Sequence, residues 1–173
     1  MKKTVLLLTV LLGLMLPYTF GETKEAPKEV PKDSAVVAAP EDNLTKEQVM
    51  GIVDEAVKLI TQKGDDALKI IGETNGKFHK GELYVFVYDE NITMVAHPEK
   101  PSLVGKNFKG KPDVKGLKFR DEIVAKALAK GSGWTDYMYQ KPDSTGIFKK
   151  TTYGKLAKFG DKKYIVCAGM YAK

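Results

Sequence analysis

GELYVFVYDENITMVAHPEKPSLVGKN, residues 81–107, is the stretch on which the fold turns. Tyr84, Phe86 and Tyr88 alternate with Leu83, Val85 and Val87. A strand here carries aromatics on one face and aliphatics on the other, leaving no polar face for water, so it belongs at the centre of a sheet. Asp89, Glu90 and Asn91 interrupt the run with turn-favouring residues, and Ile92 to Ala96 resume it, which predicts a hairpin. At His97-Pro98 the pairing must stop, because proline has no N–H to donate and holds its predecessor extended.

Upstream, Thr45-Lys-Glu-Gln48 has the spacing of a capping box. Val49, Ile52, Val53, Ala56, Val57 and Ile60 then recur at helical intervals, predicting one amphipathic helix that ends near Gly64. A second short helix follows from Asp65, with Ala67, Leu68, Ile70 and Ile71. Downstream of the hairpin, residues 99–118 hold Pro101, Pro112, Gly105, Gly110 and Gly116. They read as a long irregular crossing, the kind of segment that often carries function. Phe119, Ile123, Val124, Ala127 and Leu128 mark a helix, and three strands follow: Trp134–Tyr139, Phe148–Ala157 and Tyr164–Tyr171, the last two joined at Gly160-Asp161. Helices first, then an antiparallel set of strands, is an α+β pattern.

The chain of 173 residues, 43% hydrophobic, has room for one domain with a real core. Lys2-Lys3 and the apolar run Thr4 to Leu16 read as a secretory signal, too short for a spanning helix and followed at once by Pro17. Residues 1–21 are therefore expected to be removed after Gly21. Residues 22–43, with Pro27, Pro31 and Pro40 among Glu, Lys and Ala, read as a disordered arm, and residues 44–173 as the domain. The formal charge of +6 is a scatter of lysines with Arg120 as the only arginine, a pattern that does not fit a nucleic-acid-binding surface. Asn43-Leu-Thr45 and Asn91-Ile-Thr93 match the glycosylation pattern, but a helix start and a turn account for both asparagines.

Catalysis finds few candidates. His79 and His97 are the only histidines, and neither has a second metal ligand at a useful spacing. Cys167 lies within an apolar strand, where a thiol packs as a small hydrophobe; a single cysteine also excludes an internal disulfide. Binding is better supported. Trp134, Tyr137, Tyr139, Lys150 and Tyr153 sit on two adjacent strands, offering hydroxyls, an indole N–H and an ammonium beside apolar walls, although alternating aromatics are also normal sheet filling. Lys150 and Tyr153 have opposite parity, as do Trp134 and Tyr139, so each pair converges on one ligand only if a bulge intervenes. Asp136 shares parity with Trp134 and would favour an amine instead.

In order and spacing, Tyr84–Asp89 (YVFVYD), Met94–Pro98 (MVAHP), Leu103–Asn107 (LVGKN), Gly131–Tyr139 (GSGWTDYMY), Lys150-Thr-Thr-Tyr153 and Cys167–Tyr171 (CAGMY) resemble the single Cache domains, extracytoplasmic sensors with a PAS-like fold. The resemblance covers about Thr45 to Tyr171. It implies a five-stranded antiparallel sheet of order 2-1-5-4-3, an N-terminal helix behind it, and a small-molecule pocket under the long crossing on the other face. His97, Phe119, Trp134, Tyr139, Lys150 and Tyr153 are the expected pocket residues, with His97 at the rim, Lys150 pairing with a carboxylate, and Tyr139 and Tyr153 donating hydrogen bonds. The expected function is that of an exported sensor without catalysis, metal or cofactor, binding a short organic carboxylate and signalling through a membrane-bound chemoreceptor or histidine kinase. The alternative is an interaction module with a vestigial pocket that docks on such a sensor.

Overall fold

The structure is a computed structural model that describes residues 44–142 and 144–172. The signal segment, its cleavage after Gly21 and the arm 22–43 lie outside the described residues. The chain order is α1 (Lys46–Lys63), α2 (Asp65–Ile71), β1 (His79–Lys80), β2 (Leu83–Asp89), β3 (Met94–Ala96), α3 (Phe119–Lys130), β4 (Ser132–Gln140), β5 (Ile147–Phe159) and β6 (Lys162–Tyr171).

The capping box closes α1 reciprocally: Thr45 Oγ1 accepts from the N–H of Gln48, and Gln48 Oε1 accepts from the N–H of Thr45. Val49, Val53, Ala56 and Ile60 form the buried stripe of this helix. It ends at Gly64, whose φ of 56° and proximity to the ring of Phe159 both call for glycine: a Cβ there would approach that ring to 2.4 Å.

All the strand pairings are antiparallel. β3 lies beside β2, β2 beside β6, β6 beside β5 and β5 beside β4. The sheet has six strands rather than the five expected, because His79 and Lys80 form a short β1 on the N-terminal half of the β2 edge that β3 occupies further along. The second hairpin strand starts at Met94 rather than Ile92. Asp89 Oδ1 accepts the N–H groups of Asn91 and Thr93, so the turn is closed by a side chain and consumes residues expected in the strand. Ile92 adopts φ 68°, a conformation a β-branched residue takes only when its surroundings hold it. Its side chain is buried with Met94 and Phe108, and its carbonyl accepts the N–H of Phe108.

Strand alternation sorts the core into two layers. Val85, Val87, Val166, Ala168, Ala157 and Tyr153 meet α1 and α2 on one face. Tyr84, Phe86, Tyr88, Tyr137, Ile165 and Cys167 meet α3 and the long crossing on the other. Gly154 lets α3 close down, since a Cβ there would stand 2.8 Å from Cγ2 of Ile123.

Candidate functional site

The crossing-side layer contains the polar groups that an ordinary core would exclude. Lys150, in the middle of β5, is 1% exposed. Its ammonium donates to the Tyr84 hydroxyl at 2.8 Å, with the ring centroids of Tyr84, Tyr171, Phe86 and Tyr139 at 4.4, 4.7, 5.5 and 5.7 Å. Among the described residues no carboxylate pairs with it. An aromatic cage offsets part of the lost hydration of a cation but supplies no counter-charge. Burial, reinforced by the charge of Lys100, lowers the Lys150 pKa to about 7. Gly169 on β6 makes room for the stem: a Cβ there would lie 2.9 Å from Lys150 Cε and 2.4 Å from Thr152 Oγ1.

His97, just beyond β3, is buried and stacks on Phe86 at 5.6 Å and beside Tyr84 at 5.3 Å. Its Nδ1 accepts the N–H of Lys100 at 3.0 Å, so the neutral ring carries its proton on Nε2. Burial, then the nearby charge of Lys150, lowers its pKa to about 3. Phe119, the first residue of α3, lies flat on Tyr137 at 3.9 Å and edge-on to Tyr139 at 6.0 Å. His97, Phe119, Tyr139 and Lys150 thus line one small cavity of about 10 Å³ together with Tyr84, Phe86, Tyr88, Met94 and Tyr137. That is room for at most one water.

Trp134 and Tyr153 lie elsewhere. They contact each other across β4 and β5 at 5.1 Å on the α1 side, where Lys46 stands 5.4 Å from the indole. The β4–β5 register runs without a bulge from Ser132↔Lys155 to Gln140↔Ile147, so alternation carries Tyr153 and Lys150 to opposite faces. Asp136 is also away from the cage, bound by Lys149 at 2.7 Å and Thr151 at 2.7 Å; these partners lower its pKa.

Sequence reasoning missed Arg120. It is 8% exposed, its guanidinium lies 4.1 Å from the Phe119 centroid and 4.6 Å from that of Phe108, and its Nε has no hydrogen-bond partner. A buried donor left unpaired costs about 1–3 kcal/mol, so it stands out in a folded protein. Arg120 and Lys100 line an open cleft of about 350 Å³ that shares Phe119 and Tyr139 with the cage. Tyr84, Phe86 and Tyr171 were also overlooked as cage walls; the aromatic face of β2 was the available signal for the first two, and Tyr171 is on β6 opposite Lys150.

Two other surface grooves, of about 620 and 390 Å³, are lined by charges that already have partners. His79 meets Glu99 and Lys141 meets Glu82 in one; Lys162 meets Asp65 and Lys163 meets Glu90 in the other. Among the described residues, the cage and its cleft hold the buried cationic groups Lys150, which has no counter-charge, and Arg120, whose Nε has no hydrogen-bond partner. Cys167 is fully buried, and burial pushes its thiol pKa up, which makes it a poor nucleophile.

The chain matches the family "Single Cache domain 2" over residues 46–172. It is similar to a structure solved as the basis for carboxylic acid recognition by a Cache chemosensory domain, at 27% identity over 73% of this chain and 92% of that one, with a TM-score of 0.60. It is also similar to the periplasmic sensor domain of a chemotaxis protein, at 26% identity over 73% and 90%, TM-score 0.56. A methyl-accepting chemotaxis protein from Vibrio parahaemolyticus shares the fold at 21% identity over 73% and 87%, TM-score 0.60. The chain belongs to the single Cache domain 2 family, extracytoplasmic domains that sense ligands in signal transduction.

Proposed function

We propose that this protein senses a short organic carboxylate, with Lys150 as the anchoring cation, and signals its bound state through a membrane-bound chemoreceptor or histidine kinase. The observation that carries this reading is the buried ammonium, which among the described residues has no acid to meet it. A carboxylate beside it would restore the missing counter-charge, with the Tyr84 hydroxyl and His97 Nε2–H as further donors. The solved carboxylic-acid-recognising relative makes that ligand class the first to test.

A cavity of about 10 Å³ does not admit even acetate. Binding therefore requires the cage to open. Phe119 and Tyr139 form its wall toward the Arg120 cleft, and Phe119 begins α3. Displacing that ring shifts the start of α3 and the crossing attached to it, which gives a partner a changed surface to read. The same small volume favours a second reading, an interaction module whose pocket is vestigial.

A thermal-shift screen against acetate, propionate, pyruvate, lactate and succinate separates the two. A ligand at 100 times its dissociation constant stabilises by about 2.7 kcal/mol, a clear rise in melting temperature. Sensing requires such a rise with at least one acid and its loss in Lys150→Met. A flat response to all five acids favours the vestigial module.

A further inference from the structure

The end of the long crossing carries a cluster of lysines that line neither the cage nor its cleft, although Asp113 and Val114 between them border the cleft. Lys109, Lys111, Lys115 and Lys118 are exposed within ten residues. None forms an ion pair among the described residues. The only acid between them, Asp113, is occupied as a clamp: its Oδ1 accepts the N–H groups of Lys115 and Leu117, and its Oδ2 accepts that of Met138 on the edge strand β4. Asp121 on α3 accepts the N–H of Gly110 in the same manner. Two carboxylates thus hold the loop backbone in place without pairing with the lysines, of which Lys111 rests its ammonium 5.6 Å from the Phe108 ring.

One apolar residue here is unusual, and a second lies beside it. Val114 is 70% exposed, the highest value among the large exposed hydrophobics, and Leu117 is 36% exposed. Both sit in the turn closed by the Asp113 N–H to the Leu117 carbonyl at 2.9 Å. A tip of aliphatic side chains ringed by unpaired lysines matches the boundary of an anionic bilayer, where the hydrocarbon edge takes the aliphatics and the lipid headgroups take the ammoniums.

We propose that residues 109–118 dock this domain on an anionic lipid surface. The aliphatic tip sets this surface apart from a purely electrostatic one for nucleic acid or an acidic protein, which has no use for Val114 and Leu117 in water. An already ordered loop also loses little conformational entropy on contact.

Co-sedimentation of the full chain with phosphatidylglycerol/phosphatidylcholine vesicles, against pure phosphatidylcholine, tests this. Each lysine near an anionic surface is worth about fivefold in partitioning (about 1 kcal/mol), so joint Lys→Glu reversal at 109, 111, 115 and 118 should weaken binding at least a hundredfold. The same reversal at the exposed Lys58, Lys63, Lys130 and Lys158 should weaken it less than tenfold, and the uncharged Val114→Ser alone, which removes apolar contact without adding charge, about tenfold. Equal losses from the two quadruple variants, equal binding to neutral vesicles, or no effect of Val114→Ser would overturn the proposal; the last outcome would indicate a purely electrostatic surface instead. If the quadruple variant does not fold, a polarity-sensitive dye on Val114→Cys replaces it, since Cys167 is buried. Its emission should shift to the blue with anionic vesicles only; an unchanged spectrum overturns the proposal equally.

Discussion

The two faces of one sheet are built from the same alternating strands, yet they obey opposite rules. On the α1 side Val49, Val53, Ala56 and Ile60 pack on Val85, Val87 and Val166, and the ion pairs Lys155–Asp54 and Lys77–Glu55 involve partly or well exposed side chains. On the crossing side Lys150, His97 and Arg120 are buried among aromatic rings, and among the described residues the Lys150 ammonium has no acid. A face that serves stability alone would replace these groups with aliphatics, because a buried unpaired charge is among the costliest features a core can hold. Their presence is what singles out the crossing side as the proposed working face. The α1 side is the support that offsets their cost.

That contrast can be broken most forcefully by mutating the support. Ile60→Ala should destabilise the protein by about 2–5 kcal/mol in a denaturant titration, through lost burial and the cavity left beneath α1. It should leave the order of preference among carboxylates unchanged; a changed order would show that the two faces are not separate in function.

On the working face the sign reverses. Lys150→Met keeps the volume of the stem and removes the cation; since replacing even paired buried charges with apolar groups is often neutral or stabilising by about 1–4 kcal/mol, a neutral to stabilising effect is expected here. The effect should depend on pH. In the folded protein the Lys150 pKa is lowered to about 7, while the unfolded chain keeps its lysine protonated to the ordinary value near 10.5. Between those values the unfolded state binds more protons, so wild-type stability should rise with pH by up to about 1.4 kcal/mol per unit. Denaturant titrations at pH 7, 8 and 9 read this slope, and Lys150→Met should lack it. From about pH 8 the unfolded chain's Cys167 ionises while burial keeps the folded thiol protonated, which gives both proteins an opposing slope, so the Lys150 contribution is read as the difference between them; above about pH 10 the tyrosines ionise as well. Equal slopes in the two proteins would place the titration elsewhere.

Gly169→Ala sharpens the contrast at smaller amplitude. The added methyl would meet Thr152 Oγ1 and Lys150 Cε, so a loss of about 1–3 kcal/mol is expected, together with weaker carboxylate binding. A loss of stability with unchanged binding would show that the Lys150 stem need not be held where it is.

The α1 face was legible in the sequence because its signals are local and periodic: the capping box at Thr45–Gln48, the i, i+3, i+4 stripe from Val49 and the alternation along β2 all survive into the structure. The hairpin was less so. Asp89 closes the turn with its side chain, which composition does not reveal, and β3 lost Ile92 and Thr93 to it. At the candidate site, parity was the decisive rule. It already stated that Lys150 and Tyr153 diverge on a regular strand, and the unbulged β4–β5 register separates them accordingly. Arg120 escaped notice because its burial depends on how α3 lies against Phe108 and Tyr139, a tertiary relation with no periodic trace.

The most direct test of the account is the proton balance of ligand binding. At pH 8 the Lys150 amine of the empty protein is largely neutral, whereas a carboxylate beside it requires the ammonium. Calorimetry with a carboxylate that binds, repeated in two buffers of different ionisation enthalpy, should show uptake of close to one proton per ligand, with affinity falling as pH rises above about 7. Carboxylate binding without proton uptake, or binding of equal strength in Lys150→Met, would contradict the assignment of Lys150 as the anchor.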